Sequence, residues 1–436
     1  MTSGNSIWDR IALIRPLQHR NFRFLWLGSI LSYLSGQLTM LAFPWLVLKL
    51  TGDPLAMGAV LAVSGIPRAI FMVVGGAMAD RYSARSVMMW TSLVRFFLML
   101  LLATLVYTQS VEMWMIFVVA FCFGTADAFY WPASTSILPK ILPAEELPAG
   151  NSLQQGLGQL SQIVGPVIGG LIIAFFAATG PAAQTYAIAD LLGISVAFFI
   201  DAGALLISFF AIGFIRMSEP PEVQGRLSFK SAFASIQEGL ISAWEDPPIR
   251  MMALMFAFFS IFFRGPYVVG IPVLCDQRFV EGALSFGFIG SAFGVGALIG
   301  MILAGSLRKP PDHLLGMLII LDIVALGLGF IVYALAENIE TMMLFSAVTG
   351  LTDGYMSVLV VSFIQLRVPG QLLGRVMSVI MLFNIGMLPI SAAIAGGLIR
   401  VSLEGVFIGA GSIMIVMAVT MFSNTNLRRL GLPMNA

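Results

Sequence analysis

Apolar residues in this chain come in long unbroken runs. A helix needs about 20 such residues to cross the hydrocarbon core of a bilayer. Runs of that length lie at Phe24–Leu48, Leu55–Ala79, Val87–Tyr107, Met113–Ser136, Ala149–Phe176 and Tyr186–Ile215. A polar stretch follows, and then Met251–Leu274, Leu284–Leu307, Leu314–Leu335, Thr341–Ile364, Gly374–Ile399 and Val406–Ser423. The pattern predicts an all-α integral membrane protein of twelve transmembrane helices in two six-helix, pseudo-symmetric bundles.

The polar segments set domains and orientation. Residues 1–216 form the N-terminal six-helix bundle, 217–248 a cytoplasmic linker and 249–436 the C-terminal bundle. The N-terminus carries Asp9, Arg10, Arg15 and Arg20 before the first run, so it does not read as a cleavable signal. The linker opens with Glu219-Pro220-Pro221-Glu222. Phe229, Phe233, Ile236, Leu240 and Trp244 then recur about one turn apart, as in an amphipathic helix on the membrane surface or an ordinary connecting helix. With both termini inside, 17 Lys and Arg fall in inner segments, 3 in outer loops and 3 within spans. The excess of inner cations supports that orientation and an even number of spans. The expected location is the plasma (cell inner) membrane, multi-pass, with both termini cytoplasmic.

Composition narrows the function. Hydrophobic residues make up 58% and charged residues 10%, with mean hydropathy +0.95; a soluble domain carries roughly 25% charged residues. The net charge of +1 leaves no nucleic-acid footprint. Cys122 and Cys275 read as free thiols, and His19 and His313 lie far apart at helix ends. With no nucleophile–base cluster, phosphate loop or metal-ligand spacing, neither an enzyme nor a bound metal or cofactor is expected.

The two halves repeat. Gly124-Thr125-Ala126-Asp127 matches Gly350-Leu351-Thr352-Asp353 at an offset of 226, as Pro143 matches Pro369. Gly169-Gly170-Leu171-Ile172 matches Gly396-Gly397-Leu398-Ile399 at 227. Six spans return the chain to the same side, so these are parallel repeats about an axis along the membrane normal.

The loop after the second run reads Gly76-Ala77-Met78-Ala79-Asp80-Arg81-Tyr82-Ser83-Ala84-Arg85. It resembles the G-x-x-x-D-R-x-x-R-type loop of the major facilitator superfamily, in the same place and on the same side. Ala84 departs from the basic residue many members have, and the second copy, Gly305-Ser306-Leu307-Arg308-Lys309-Pro310, lacks the acid. The resemblance implies a gating role for Gly76, Asp80, Arg81 and Arg85, with Asp80 able to face the N-terminus of span eleven near Gly374. Gly165-Pro166-Val167-Ile168-Gly169-Gly170 in span five looks like the end of the family's antiporter motif, although Gly156 and Gly158 fall out of register and Ser161 replaces a glycine. It favours an exporter. Trp114–Phe123 of span four lacks the arginine of many proton-coupled drug exporters. As a whole the chain resembles the twelve-span macrolide, siderophore and multidrug exporter branch.

Charges within spans are functional candidates, because each costs at least about 2.5–3.5 kcal/mol to insert. They are Arg68, Arg95, Asp127, Asp201, Arg264, Asp322 and Asp353, with Asp190 nearer the outer end. At about 1.5 Å rise per residue, Arg95 and Asp127 lie at matching depth on spans joined by a short loop, so an ion pair is feasible. Asp322 and Asp353 occupy the same depth in the second half. Two carboxylates repel, so a shared proton or an intervening cation is expected, and Arg264 is the available cation. Asp353, Asp322 and Asp127 are the proton-coupling candidates; static ion pairing is the alternative. Arg264 and Arg95, with Tyr33, Gln37, Gln155, Gln159 and Asn384, are the cavity candidates, Gln162 sharing the Gln155 and Gln159 face. By the family's arrangement spans one, four, seven and ten line that cavity.

The expected function is proton-coupled export of amphipathic small molecules, of drug or siderophore type, by alternating access. A lipid or lysolipid flippase and an uptake carrier of the same fold are alternatives, and a non-transporting sensor a more distant one. The expected partners are a small-molecule substrate, protons and membrane lipid, with the chain a monomer.

Overall fold

The computed structural model describes residues 12–81, 83–179, 186–217, 250, 254–255, 257–307, 310–311, 314–367 and 386–423. After a short 3₁₀ segment (Ala12–Gln18) come α1 (Arg20–Thr51), α2 (Pro54–Arg81), α3 (Ala84–Tyr107), α4 (Met113–Ser136), α5 (Leu147–Thr179) and α6 (Tyr186–Gly213). Then follow α7 (Ala257–Arg278), α8 (Gly282–Ser306), α9 (Leu315–Leu335), α10 (Ile339–Arg367), α11 (Gly386–Ile399) and α12 (Leu403–Ser423). Among the described residues eleven of these are long and apolar enough to cross a membrane, and α11 is a shorter apolar helix in the place of span eleven. Large apolar side chains such as Trp90, Phe97, Phe175 and Leu344 stand exposed, the surface expected of helices solvated by lipid. The linker helix proposed at Ser228–Trp244 lies outside the described residues, as does Gly374.

The chain forms two compact units. Unit 1 holds residues 1–46 and 63–232; unit 2 holds 47–62 and 233–436. In unit 1, α3 packs along α4 and α6, and α5 along α6. Phe22, Leu25, Val87, Met88, Ile137, Leu138 and Ile212 close one end of the unit as a buried cluster. Arg85, the last residue of the loop signature, sits at that end. Its guanidinium donates to the Gly213 carbonyl and, at 3.3 Å, to that of Ile212. These are carbonyls of the last turn of α6, where that of Ile212 also accepts from the Ile215 N–H at 3.1 Å, so Arg85 acts as a cap. Asn21 completes the closure: its amide donates to the Arg216 carbonyl at 2.8 Å and its carbonyl accepts from the Arg216 N–H at 3.0 Å.

In unit 2, α8 packs along α10 through paired small residues. Cβ atoms on Gly296 and Gly300 would run into the backbone of Ala347 and Leu351. In return, Cβ atoms on Gly350 and Gly354 would strike Phe293 and Ala297. Such four-residue spacing lets two backbones approach where lipid offers no hydrophobic drive. Phe263, Tyr267, Phe293, Phe330 and Phe407 pack as an aromatic core.

α7 carries a local defect with a covalent cause. Pro266 has no N–H and its ring crowds the carbonyl four residues back. The ladder opens into a π turn over Ser260–Arg264, with the Gly265 N–H reaching back to the Ser260 carbonyl. The Ile261 carbonyl, whose partner in this register would be the missing Pro266 N–H, accepts instead from the Ser391 hydroxyl of α11 at 2.8 Å.

The α1–α2 turn belongs to unit 2. Gly52, at φ +62°, takes the left-handed conformation that ends α1, and its N–H bonds the Leu48 carbonyl at 2.7 Å. The Asp53 carboxylate then caps α2 by accepting from the Leu55 N–H at 3.0 Å. Lys49 pairs with Asp276 at 2.6 Å and Asp53 approaches Arg400 at 3.9 Å.

Arg278 ends α7 and caps α9. Its guanidinium donates to the carbonyls of Tyr333 (3.0 Å), Ala334 (2.7 Å) and Ala336 (2.6 Å) and approaches Glu404 at 3.3 Å. Bonds to a charged donor contribute about 1.5–3 kcal/mol, and exposed ion pairs less than about 1 kcal/mol. Arg278→Gln should therefore lower the unfolding midpoint of the purified protein clearly, and Glu404→Gln should barely move it. Equal effects of the two would show that the ion pair, not the cap, matters.

Candidate functional site

In unit 1 the charges converge on one carboxylate. Asp127 of α4 receives Arg95 of α3, Nη1 to Oδ1, at 3.0 Å. On its other oxygen, Oδ2, it meets Nε of Arg68 from α2 at 3.2 Å. Arg95 is held from several directions. Its Nη2 donates to the Ser32 hydroxyl of α1 at 3.2 Å, and its guanidinium lies 4.3 Å from the Tyr130 ring centroid and 5.9 Å from that of Phe123. The Arg95 side chain is 3% exposed and that of Asp127 12%, whereas that of Arg68 is 37% exposed. Arg95 is thus fixed, and Arg68 is the accessible arm. Two guanidiniums share one carboxylate, and the buried Asp201 lies within electrostatic reach of Arg95.

A glycine brings Arg68 there. A Cβ on Gly124 would collide with the Ser64 backbone, so α4 crosses α2 in contact at that point. Asp127 is three residues beyond Gly124 and Arg68 four beyond Ser64, on the same helix faces. Gly75, farther along that face of α2, repeats the close approach against Ala128 and Phe129.

In unit 2 the repeated glycine acts alike, Gly350 of α10 crossing α8 at Phe293. Asp353, three residues on, lies within electrostatic reach of Asp322 on α9 and of Arg264 at the end of the π turn. Asp322 Oδ1 is buried and has no hydrogen-bond partner among the described residues. No second arginine joins this cluster from α8, where the residue four beyond Phe293, as Arg68 is four beyond Ser64, is Ala297.

The other candidates are dispersed. Tyr33 packs edge-on against Trp131 at 5.7 Å and lies beside Gly158. Gln37 fills the space that a Cβ on Gly165 would need, while Gly169 seats Leu38 and Leu41. The motif Gly165, Pro166, Gly169 and Gly170 thus contributes two of its glycines to an α1–α5 seam. Gln155 and Gln162 are exposed and Gln159 half-buried. It is their neighbour Gln154 that makes a described contact, donating to the Ser29 hydroxyl at 3.1 Å. Asn384 lies outside the described residues, and so do the side chains of Gly76, Asp80 and Arg81. Asp201, read in the sequence only as an intramembrane charge, is wholly buried and accepts from the Thr39 hydroxyl. Arg68 was likewise visible only as a charge, since nothing in the chain order announces the α2–α4 crossing.

Long apolar helices, internal repetition and charges clustered within spans define a polytopic membrane transporter. The chain belongs to the Major Facilitator Superfamily, whose profile matches residues 25–384. It is 25% identical over 404 residues to the multidrug efflux pump Tap of Mycolicibacterium fortuitum, covering 91% of this chain and 93% of that protein. Macrolide efflux protein A of Streptococcus pyogenes is 21% identical, with 94% and 97% covered. The enterobactin exporter EntS of Escherichia coli is 24% identical, with 87% and 85% covered. In fold the chain is similar to the solved nucleoside transporter NupG (TM-score 0.70, 13% identity, 92% of this chain and 98% of that one). It is also similar to a POT family transporter in complex with 5-aminolevulinic acid (TM-score 0.69, 14% identity, 94% and 97%).

Proposed function

We propose that this transporter exports amphipathic small molecules in exchange for protons, by alternating access, from a plasma membrane in which both termini are cytoplasmic. The three relatives named above are a drug pump, a macrolide efflux protein and a siderophore exporter, and they support the direction and the cargo class. The observation that carries proton coupling is the cluster of Asp353, Asp322 and Arg264 inside apolar helices. Arg264 faces Asp353, whereas Asp322 faces Asp353 itself, and holding a proton on one of the two acids is the physical alternative to burying two like charges side by side. Losing and regaining that proton would alter how α7, α9 and α10 attract one another. In unit 1 both oxygens of Asp127 are already engaged by arginines, which ranks it behind the other two.

The test is dye efflux from energised cells, with and without a protonophore. Asp353→Asn and Asp322→Asn should each reduce gradient-dependent efflux to near background at wild-type expression. If both variants retain full gradient-driven efflux, the coupling assignment is wrong. Movement of labelled lipid between leaflets without dye efflux would instead establish the flippase alternative.

A further inference from the structure

We infer that Arg68 is a binding site for an anionic group on the transported molecule. The reading rests on the export proposal only in calling that molecule a cargo. Asp127 balances one guanidinium and Arg95 is the enclosed one, tied to Asp127, Ser32 and the face of Tyr130. Arg68 Nε lies 3.2 Å from Asp127 Oδ2 without hydrogen-bond geometry, and neither Nη1 nor Nη2 has a hydrogen-bond partner among the described residues. No other carboxylate pairs with it among the described residues. A planar fork with two unengaged donors is the group best suited to a carboxylate or a similar oxyanion, which it can hold through two parallel bonds.

The direction of its exposure also matters. Ile66 and Ile70 form the exposed apolar flank of α2. Arg68 lies about 200° around the helix from each, at 100° per residue. It shares its side with Ser64, Phe71 and Gly75, the residues that meet α4. The open part of the guanidinium therefore lies along the α2–α4 seam. A half-exposed guanidinium within the span of a helix costs insertion energy that an incoming anion would offset. The ring of Phe71, one turn beyond Arg68 on α2 and stacked on Phe129 at 6.5 Å, supplies apolar surface near the charge. The site thus suits an amphipathic acid.

The experiment uses the full chain in phosphatidylcholine nanodiscs and a matched pair of probes, pyrenebutyrate and its methyl ester. Energy transfer from tryptophan reports binding, with empty discs subtracted. Wild type should prefer the carboxylate. Arg68→Gln should lose that preference, its affinity for the acid falling about tenfold with the ester unaffected; Arg68→Lys should keep part of it. A preference retained in well-folded Arg68→Gln, no preference in wild type, or a joint loss of both probes would each overturn the assignment. Competition by phosphatidylglycerol in the discs would reassign the site to a lipid headgroup and overturn its assignment to cargo. Dye efflux measured separately keeps the questions apart: lost efflux with intact binding counts against export alone.

Discussion

Asp127→Asn is expected to be the most damaging single substitution in the first half. It leaves Arg95, 2% exposed, and Arg68 facing an uncharged amide. Removing one partner of a buried ion pair costs about 3–5 kcal/mol, because the remaining charge stays desolvated. Arg95 carries that cost, while solvent screens the more exposed Arg68. Low yield of monodisperse protein and a large drop in unfolding midpoint should result. Arg68→Gln is the informative contrast. It leaves Arg95 and Asp127 as a one-to-one pair and should unfold near the wild-type temperature. If Asp127→Asn matched wild type, the triad would have no structural weight.

The second large effect is steric. Gly124→Ala and Gly350→Ala each place a methyl group against backbone, that of Ser64 and Phe293 respectively, and backbone cannot rotate aside as a side chain can. The helices must separate, which costs about 1–3 kcal/mol for overpacking and carries the charged residue three positions on away from its partners. Both variants should unfold at lower temperature and lose efflux. Gly156→Ala, which meets nothing within 4 Å, is the control and should behave as wild type. Equal midpoints for all three would show that the crossings tolerate a methyl group.

These glycines also mark how far the sequence could be read. The recurrence of Gly124-x-x-Asp127 as Gly350-x-x-Asp353 is visible in the chain, and the structure supplies its reason: each glycine permits a crossing, and each aspartate stands one turn beyond it. The pairing of Arg95 with Asp127 was legible because a short loop fixes the relative depth of α3 and α4. Arg68 was not placed, because α2 and α4 are not consecutive and depth alone does not choose neighbours. The Gly296/Gly300 and Gly350/Gly354 pairs were equally hidden, since small residues are common in membrane helices whether or not they touch.

Other features needed coordinates for a different reason. The π turn of α7 follows from Pro266, but a proline in a membrane helix can be absorbed in several ways, and only the Ser391 hydroxyl on the Ile261 carbonyl shows which one was taken. Arg85 was read as a motif residue in a loop. Its described contacts are two carbonyls of α6, so that part of the signature closes a helix end within unit 1.

The ion pair at the α1–α2 turn has a consequence for the order of assembly. Lys49 and Asp276 are 227 residues apart in the chain and touch at 2.6 Å. During synthesis Lys49 emerges long before its partner, so this contact can form only after α7 has been made.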